Sequence, residues 1–343
     1  MHKSKTFETK IMVSLRTYTH GKTLACIIGV LMLGSLVSCR ETNNVKVIKL
    51  GHGLDVSHPV HAAMVYMGQR LAEKSDGRMQ LKIYPSQQLG TERECLELLQ
   101  IGSLGMTKVS VGVLENFVPD FKLFGLPFLF RDKEHAHKVL DGEIGKELLD
   151  ASVGVRLKGM AFYDAGSRSF YTKKPINTPE DLEGLKLRVM ESQTAMDMVR
   201  NLGGSPTPIS WGELYTSLQQ GIVDGAENNL PSFYLSRHYE VCKYYVMDEH
   251  TMLPDVLLIS TSIWDGLNDQ QKQWLEEAAQ ESIPYERKGW QEAESHALEE
   301  IKKAGVEVIY PDKEPFREKV SRMYDDFKRD VQLKRLIDAV QAN

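Results

Sequence analysis

Between residues 184 and 229 the spacing of apolar positions changes period three times. In GLKLRVM, Leu185, Leu187 and Val189 alternate with Lys186, Arg188 and Met190, which predicts a strand that buries one face and carries Arg188 near its carboxyl end. A helical run from Ser192 follows and stops at Gly203 and Gly204. A second run opens on Ser210 with Glu213 three residues on, the pattern of a capping box. There Trp211, Leu214, Tyr215 and Leu218 fall at i, i+3, i+4 and i+7, and Gly221 is placed to end the helix. Ile222, Val223 and Asp224 then read as another strand, with Glu227, Asn228 and Asn229 at its exit. In such a βαβ-type unit the carboxyl ends of the strands are where open α/β sheets bind ligands.

The amino-terminal part has the same alternation. Residues 45–51 predict a strand, His58 and Pro59 start a helix to Ser75, 78–84 predict a second strand, 91–101 a helix and 104–110 a third strand. LQIG at 99–102 and LQQG at 218–221 form a loose internal echo, which sets Lys108 and Ser110 against Glu227 to Asn229 in two facing α/β lobes. Residues 117–130 are the most apolar stretch and read as core. Residues 161–171 read as one crossing strand that carries Arg168, and 242–247 and 256–262 as strands returning to the first lobe, bordered by His250 and Asp255. Residues 268–304 are almost uninterrupted helical pattern with Pro284 inside. A short strand at 306–310 and one amphipathic helix at about 315–341 close the chain.

The order LKLRV, then GGSPTPISWGELYTSLQQGIVDGAEN, resembles the core signature of solute receptors of tripartite ATP-independent periplasmic (TRAP) transporters of the C4-dicarboxylate type. A weaker likeness runs from about residue 46 to the C-terminal helices. The resemblance implies an α/β, two-lobe periplasmic-binding-protein (clam-shell) fold braced by a long C-terminal helix. Lobe I would span 45–164, completed by about 254–292, and lobe II 165–253, completed by about 293–343. It further implies that Arg188 holds a ligand carboxylate in a two-pronged salt bridge, that Arg168 is a second cleft arginine, that Trp211 lies against the ligand and that Asn228 donates an amide hydrogen bond. Glu92, Lys108 and Ser110 would come from the first lobe, where family members vary most. His52 follows the first strand and is expected to point into the interlobe cleft. The implied partners are a small organic acid and two membrane permease subunits driven by an ion gradient, with no cofactor.

The amino terminus changes the picture of where this happens. Residues 1–22 hold Lys3, Lys5, Lys10, Arg16 and Lys22 against Glu8 alone, and 23–38 are apolar but short for a membrane span. Leu36-Val37-Ser38-Cys39 resembles a bacterial lipobox, so 1–38 are read as a lipoprotein signal peptide, Cys39 as the lipid-bearing residue and 39–44 as a tether in the periplasm. Without 1–38 the chain keeps 37 basic residues (42 less 5) against 46 acidic (47 less 1), a formal charge of −9. Such a protein captures an anion only through a local positive pocket, because distant charges are screened beyond ~8 Å. A nucleic-acid partner is excluded on the same charge. Cys95 and Cys242 read as buried thiols, and no converging set of ligands argues for a metal site.

Neither a G-x-S-x-G elbow, a P-loop, H-E-x-x-H nor a strand-borne G-x-G-x-x-G is present. Glu92 and Glu227 could be imagined as the acid/base pair of a lipid-anchored glycosidase, the rival from another class. A receptor of an ATP-driven importer shares the clam-shell logic but is not expected to carry the LRV arginine with the DGAEN strand. A polar first-lobe wall of His52, Glu92 and Lys108 suits hydroxyls, because an unmatched buried polar group costs ~1–3 kcal/mol. The expected ligand is therefore a sugar acid such as a hexuronate, with a C4-dicarboxylate or 2-oxo acid as the alternative.

Overall fold

The computed structural model describes residues 45–343; the signal peptide expected at 1–38, the tether expected at 39–44 and Cys39 lie outside the described residues. In chain order the strands are β1 (Lys46–Gly51), β2 (Met79–Tyr84), β3 (Met106–Ser110), β4 (Leu157–Tyr163), β5 (Ser167–Thr172), β6 (Lys186–Val189), β7 (Ser205–Pro208), β8 (Gly225–Asn228), β9 (Tyr244–Met252), β10 (Asp255–Ser260) and β11 (Glu307–Ile309). They form two sheets, one ordered β2-β1-β3-β10-β4 and one ordered β11-β9-β5-β8-β6-β7. In the first, β1 runs parallel to β2 and β3, and β10 lies antiparallel between β3 and β4. In the second, β6 runs parallel to β7 and β8, while β5 is antiparallel to β8 and β9. Every residue of β3 and β10 is buried, as central strands covered on both faces require.

The sheets are joined by two short crossovers. One leaves β4 through Asp164, Ala165 and Gly166 to enter β5; the other leaves β9 through Leu253 and Pro254 to enter β10. Residues 161–171 are thus two strands in different sheets, not one. Gly166 makes the break with φ 57°, and a side chain there would collide with Glu294 and Trp290 of the long helix. The segment expected to return at 242–247 stays in the second sheet as β9, and only β10 returns.

Other boundaries also moved. Residues 222–224 are a turn, and the strand begins at Gly225, where Thr172 and the Tyr171 carbonyl approach too closely for any side chain. Ser205–Pro208 is an unexpected strand; it lies on the sheet edge, where prolines are tolerated. The final helix is two, Glu314–Phe327 and Val331–Ala342, because Asp330 caps a new start through Gln332 and Leu333. The second of them packs against Pro119–Gly125 and Glu143–Ala151, elements on the first-lobe side.

The long helix, Asp269–Lys303, runs through Pro284 between an Asn268 capping box and Ala304. It packs on helix Pro59–Lys74, where Tyr66 and Tyr285 stack at 4.4 Å, and on helix Leu230–Leu235, where Tyr234 meets His296 at 5.6 Å. It therefore touches both halves. One core joins Ile48, Met64, Leu257 and Trp290, and another joins Tyr171, Leu218, Phe233 and Tyr245. A third spans both halves, packing Phe124 and Phe162 with Leu187, Met198 and Phe316. Cys95 and Cys242 are separate buried thiols.

Candidate functional site

The carboxyl ends of the parallel strands converge on one small cavity of ≈ 60 Å³. From the first sheet come Gly53 and Leu54 after β1, Glu92 at a helix start, and Lys108 and Ser110 at the end of β3. The second sheet supplies Arg168 on β5, Arg188 on β6, Met190 just beyond it, and Asn228 at the end of β8, followed by Asn229. Trp211 covers one side and Trp290 of the long helix another. Two facing sets of strand ends thus line one space. A larger hollow of ≈ 650 Å³ lies beside residues 140–162. Its arginine, Arg287, is already held two-pronged by Asp141 at 2.7 and 2.7 Å.

Arg188 is the exception in the cavity wall. It is 3% exposed, its Nε donates to the Ile209 carbonyl at 2.8 Å, and its guanidinium lies 5.8 Å over the Trp211 ring. Among the described residues no carboxylate pairs with it, whereas both other cations of the wall are paired. Burial pulls its pKa below the ordinary arginine value. A buried cation without a counterion is unfavourable by several kcal/mol, so the balancing anion must come from outside the chain.

Arg168 is different in kind. Its Nε and Nη2 donate to the Glu227 carboxylate, Nη2 also to the Glu227 carbonyl at 2.8 Å, and Nη1 to Asn228 Oδ1 at 2.7 Å. The backbone N–H of Asn229 reaches the same Oδ1 at 2.9 Å. Both acceptor sites of that oxygen are used, which leaves the Asn228 amide hydrogens for the cavity. Behind this pair, His250 stands between Asp248, 2.7 Å from Nδ1, and Glu227, 3.6 Å from Nε2. Charges alternate along Asp248, His250, Glu227 and Arg168. Burial opposes both middle charges; Asp248 and Glu227 nevertheless raise His250 to about 9, and Arg168 and His250 lower Glu227 to about 2.

A raised histidine pKa contributes stability that is complete below the unfolded value of 6.5 and is lost as pH rises toward 9. The expected loss between these limits is on the order of 3 kcal/mol. Melting of the unliganded protein should therefore fall from pH 6.5 to 9, and His250→Gln should flatten the slope; a flat wild-type profile would refute the assignment.

On the first-sheet side, Lys108 Nζ lies 3.2 Å from Glu92 and 3.0 Å from Asp255. Glu92 also accepts from the Ser110 N–H at 3.2 Å, and Ser110 Oγ reaches the Met190 sulfur at 3.5 Å from the other sheet. Two carboxylates share one lysine. Burial raises the Asp255 pKa, Lys108 works against that rise and Glu92 adds to it, and both carboxyl groups line the cavity.

His52 does not reach the cavity. Its Nε2 is 3.0 Å from His61 Nδ1, its Nδ1 accepts from the Leu54 N–H at 3.1 Å, and burial holds its pKa down to about 3. The chain turns after Gly51, so Gly53 and Leu54 face the space instead. The histidine on the wall is His58, which caps helix Pro59–Lys74 through Nδ1 and lies 3.4 Å from Ser232 Oγ of the opposite half. Its place before Pro59 gave only a helix-start signal. Trp290 and Asp255 were also missed as wall residues, while Asn229 is on the wall as its place at the strand exit suggested; no local pattern marks a tryptophan in the middle of a polar helix.

Expected capping at Ser210 also differs. Its Oγ donates to Glu213 at 2.7 Å, and Trp211–Glu213 form a 3-10 turn before helix Leu214–Gln219. Trp211 is thereby displaced from the helix's apolar stripe and set against Arg188.

Comparison with known proteins bears on this arrangement. The model of the DctP family, bacterial extracellular solute-binding protein family 7, matches residues 50–330. The chain belongs to this family. The receptor is 41% identical over 288 residues to the uncharacterized protein YiiZ of Salmonella typhimurium, covering 83% of this chain and 88% of that one. A TRAP periplasmic solute binding protein from Xanthobacter autotrophicus, solved with bound β-D-galacturonate, superposes on it with a TM-score of 0.84 at 39% identity, covering 86% of this chain and 99% of that one. One from Anaerococcus prevotii, with bound α/β D-glucuronate, gives 0.85 at 38%, covering 87% and 97%. The two-lobe fold with its long C-terminal helix is that of TRAP solute receptors, and so is the function.

Proposed function

We propose that this TRAP receptor closes its lobes on a hexuronate-type sugar acid and delivers it to membrane permease subunits. The observation that carries this reading is Arg188, a buried cation in the ligand cavity with no carboxylate partner among the described residues. Its planar fork matches a carboxylate through two parallel hydrogen bonds. Hydroxyls would meet Glu92, Asp255 and the Asn228 amide, and an apolar sugar face would lie on Trp211. Arg168, bound by Glu227, contributes its position and the orientation of Asn228 more than free charge. Ser110 and Lys108 support the first-lobe wall. The hexuronates in two structural relatives at 38–39% identity favour the same class.

The reading is that of a binding protein, not an enzyme. Glu227, the imagined partner of Glu92 in a glycosidase, has both carboxylate oxygens held by Arg168 and does not line the cavity, so it is not presented to a ligand there. A thermal-shift screen tests the substrate class. D-galacturonate or D-glucuronate at a hundred times its dissociation constant should add ~2.7 kcal/mol. Shifts with succinate or 2-oxo acids and none with hexuronates would overturn it.

Anchoring through Cys39 completes the proposal. A thioether-linked lipid group together with an N-acyl chain suffices for stable attachment. Cys39→Ser should leave the receptor in the soluble fraction, and a wild type that takes no fatty-acid label would refute the anchor.

A further inference from the structure

We infer that His238, which does not line the ligand cavity, is the positioning residue that holds Trp211, and through it Arg188, in the binding orientation. This rests on the reading of the cavity as a sugar-acid site. Trp211 opens a three-residue turn without a side-chain cap and is only half-buried, at the margin of a core, so the setting of its indole depends on neighbours from elsewhere in the chain. His238 supplies the backstop. It is 1% exposed, and its ring meets the indole edge-to-face with centroids 5.3 Å apart and planes at 61°.

The other side of the imidazole is tied to the rigid interior. His238 Nδ1 is 2.9 Å from the Tyr171 hydroxyl, and Tyr171 is fully buried against Phe233 at 4.7 Å and Tyr245 at 6.3 Å. Arg237 directly before it adopts φ 57° and ψ 22°, the left-handed position that ends helix Leu230–Leu235, with its N–H donating to the Tyr234 carbonyl, and the chain turns there into the buried His238. Burial first, and then the Arg188 charge, keep the imidazole neutral, with a pKa of about 3, so it sits near the guanidinium without repelling it.

Mechanical support then passes from core to ligand. Tyr171 fixes His238, His238 fixes Trp211, and Trp211 lies under Arg188, whose second hold is the Ile209 carbonyl two residues before Trp211. A displaced guanidinium would meet a carboxylate with one prong. Errors of ~1 Å in such a constellation cost up to about 100-fold.

The test compares two substitutions by calorimetry with D-galacturonate and D-glucuronate. His238→Ala removes the ring and should weaken binding roughly 10- to 100-fold. His238→Phe keeps the edge-to-face contact with Trp211 and the stacking on Tyr171 at 5.6 Å, and gives up only the hydrogen bond; it should bind within about threefold of wild type. A merely structural role predicts that both lose affinity together with melting temperature. A second readout needs no ligand: in protein labelled with 5-fluorotryptophan, the Trp211 fluorine signal, assigned by its loss in Trp211→Phe, should move toward the solvent-exposed position in His238→Ala and stay in His238→Phe. Equal losses in both variants, or an unmoved signal in His238→Ala, would overturn the inference. If the wild type bound neither hexuronate, the substrate reading would fail while the fluorine signal still decided the role of His238.

Discussion

Arg188→Ala is expected to weaken binding of the cognate acid by roughly two to three and a half orders of magnitude. Removing one partner of a closed, hydrogen-bonded ion pair typically costs ~3–5 kcal/mol, against 0–1 for an exposed pair. Arg188→Lys should recover only part of this, because a flexible point charge cannot reproduce the two-pronged geometry. The unliganded variant should melt at the wild-type temperature or higher, since the wild type buries this guanidinium without a carboxylate. Binding within about threefold of wild type, under ~0.7 kcal/mol, would show that the arginine holds no ligand.

Glu227→Ala should do the reverse. Arg168, 4% exposed, would lose its carboxylate, and His250 would lose one of two flanking charges. Leaving a buried arginine unpaired should destabilise the fold by ~3–5 kcal/mol, a fall in melting temperature of roughly 6–15 °C for a chain of this size. Glu227→Gln keeps acceptor oxygen for Arg168 and should lose less. The contrast separates two arginines 20 residues apart: one is completed by the protein, the other by its ligand. Equal melting temperatures for Glu227→Ala and wild type would remove this distinction.

What the chain revealed beforehand depended on how local the cause was. Arg188 was legible as a strand-end residue because LKLRV alternates over its own length, and the long helix because 35 residues run between Asn268 and Ala304 with only Pro284 interrupting. The pairing of Arg168 with Glu227 was not, since they come together only when β5 and β8 align Ser169 with Asn228 and Phe170 with Glu227. The break at Gly166 likewise depends on Trp290 and Glu294 of a distant helix. β8 was misplaced by three residues because Ile222 and Val223 carry strand propensity, while Gly225 is required by close packing on Tyr171 and Thr172. His52 and His58 flank the same turn, and only the path of the backbone decides which faces the cavity.

Calorimetry of the receptor with D-galacturonate and, in parallel, with D-galactose tests the central claim most directly, because the two differ at the carboxylate carbon while sharing the ring hydroxyls. The account predicts that the sugar acid binds and that the neutral sugar binds at least about 100-fold more weakly, the ~3 kcal/mol or more that an anion buried on Arg188 should be worth. Equal affinities, or a preference for the neutral sugar, would contradict it.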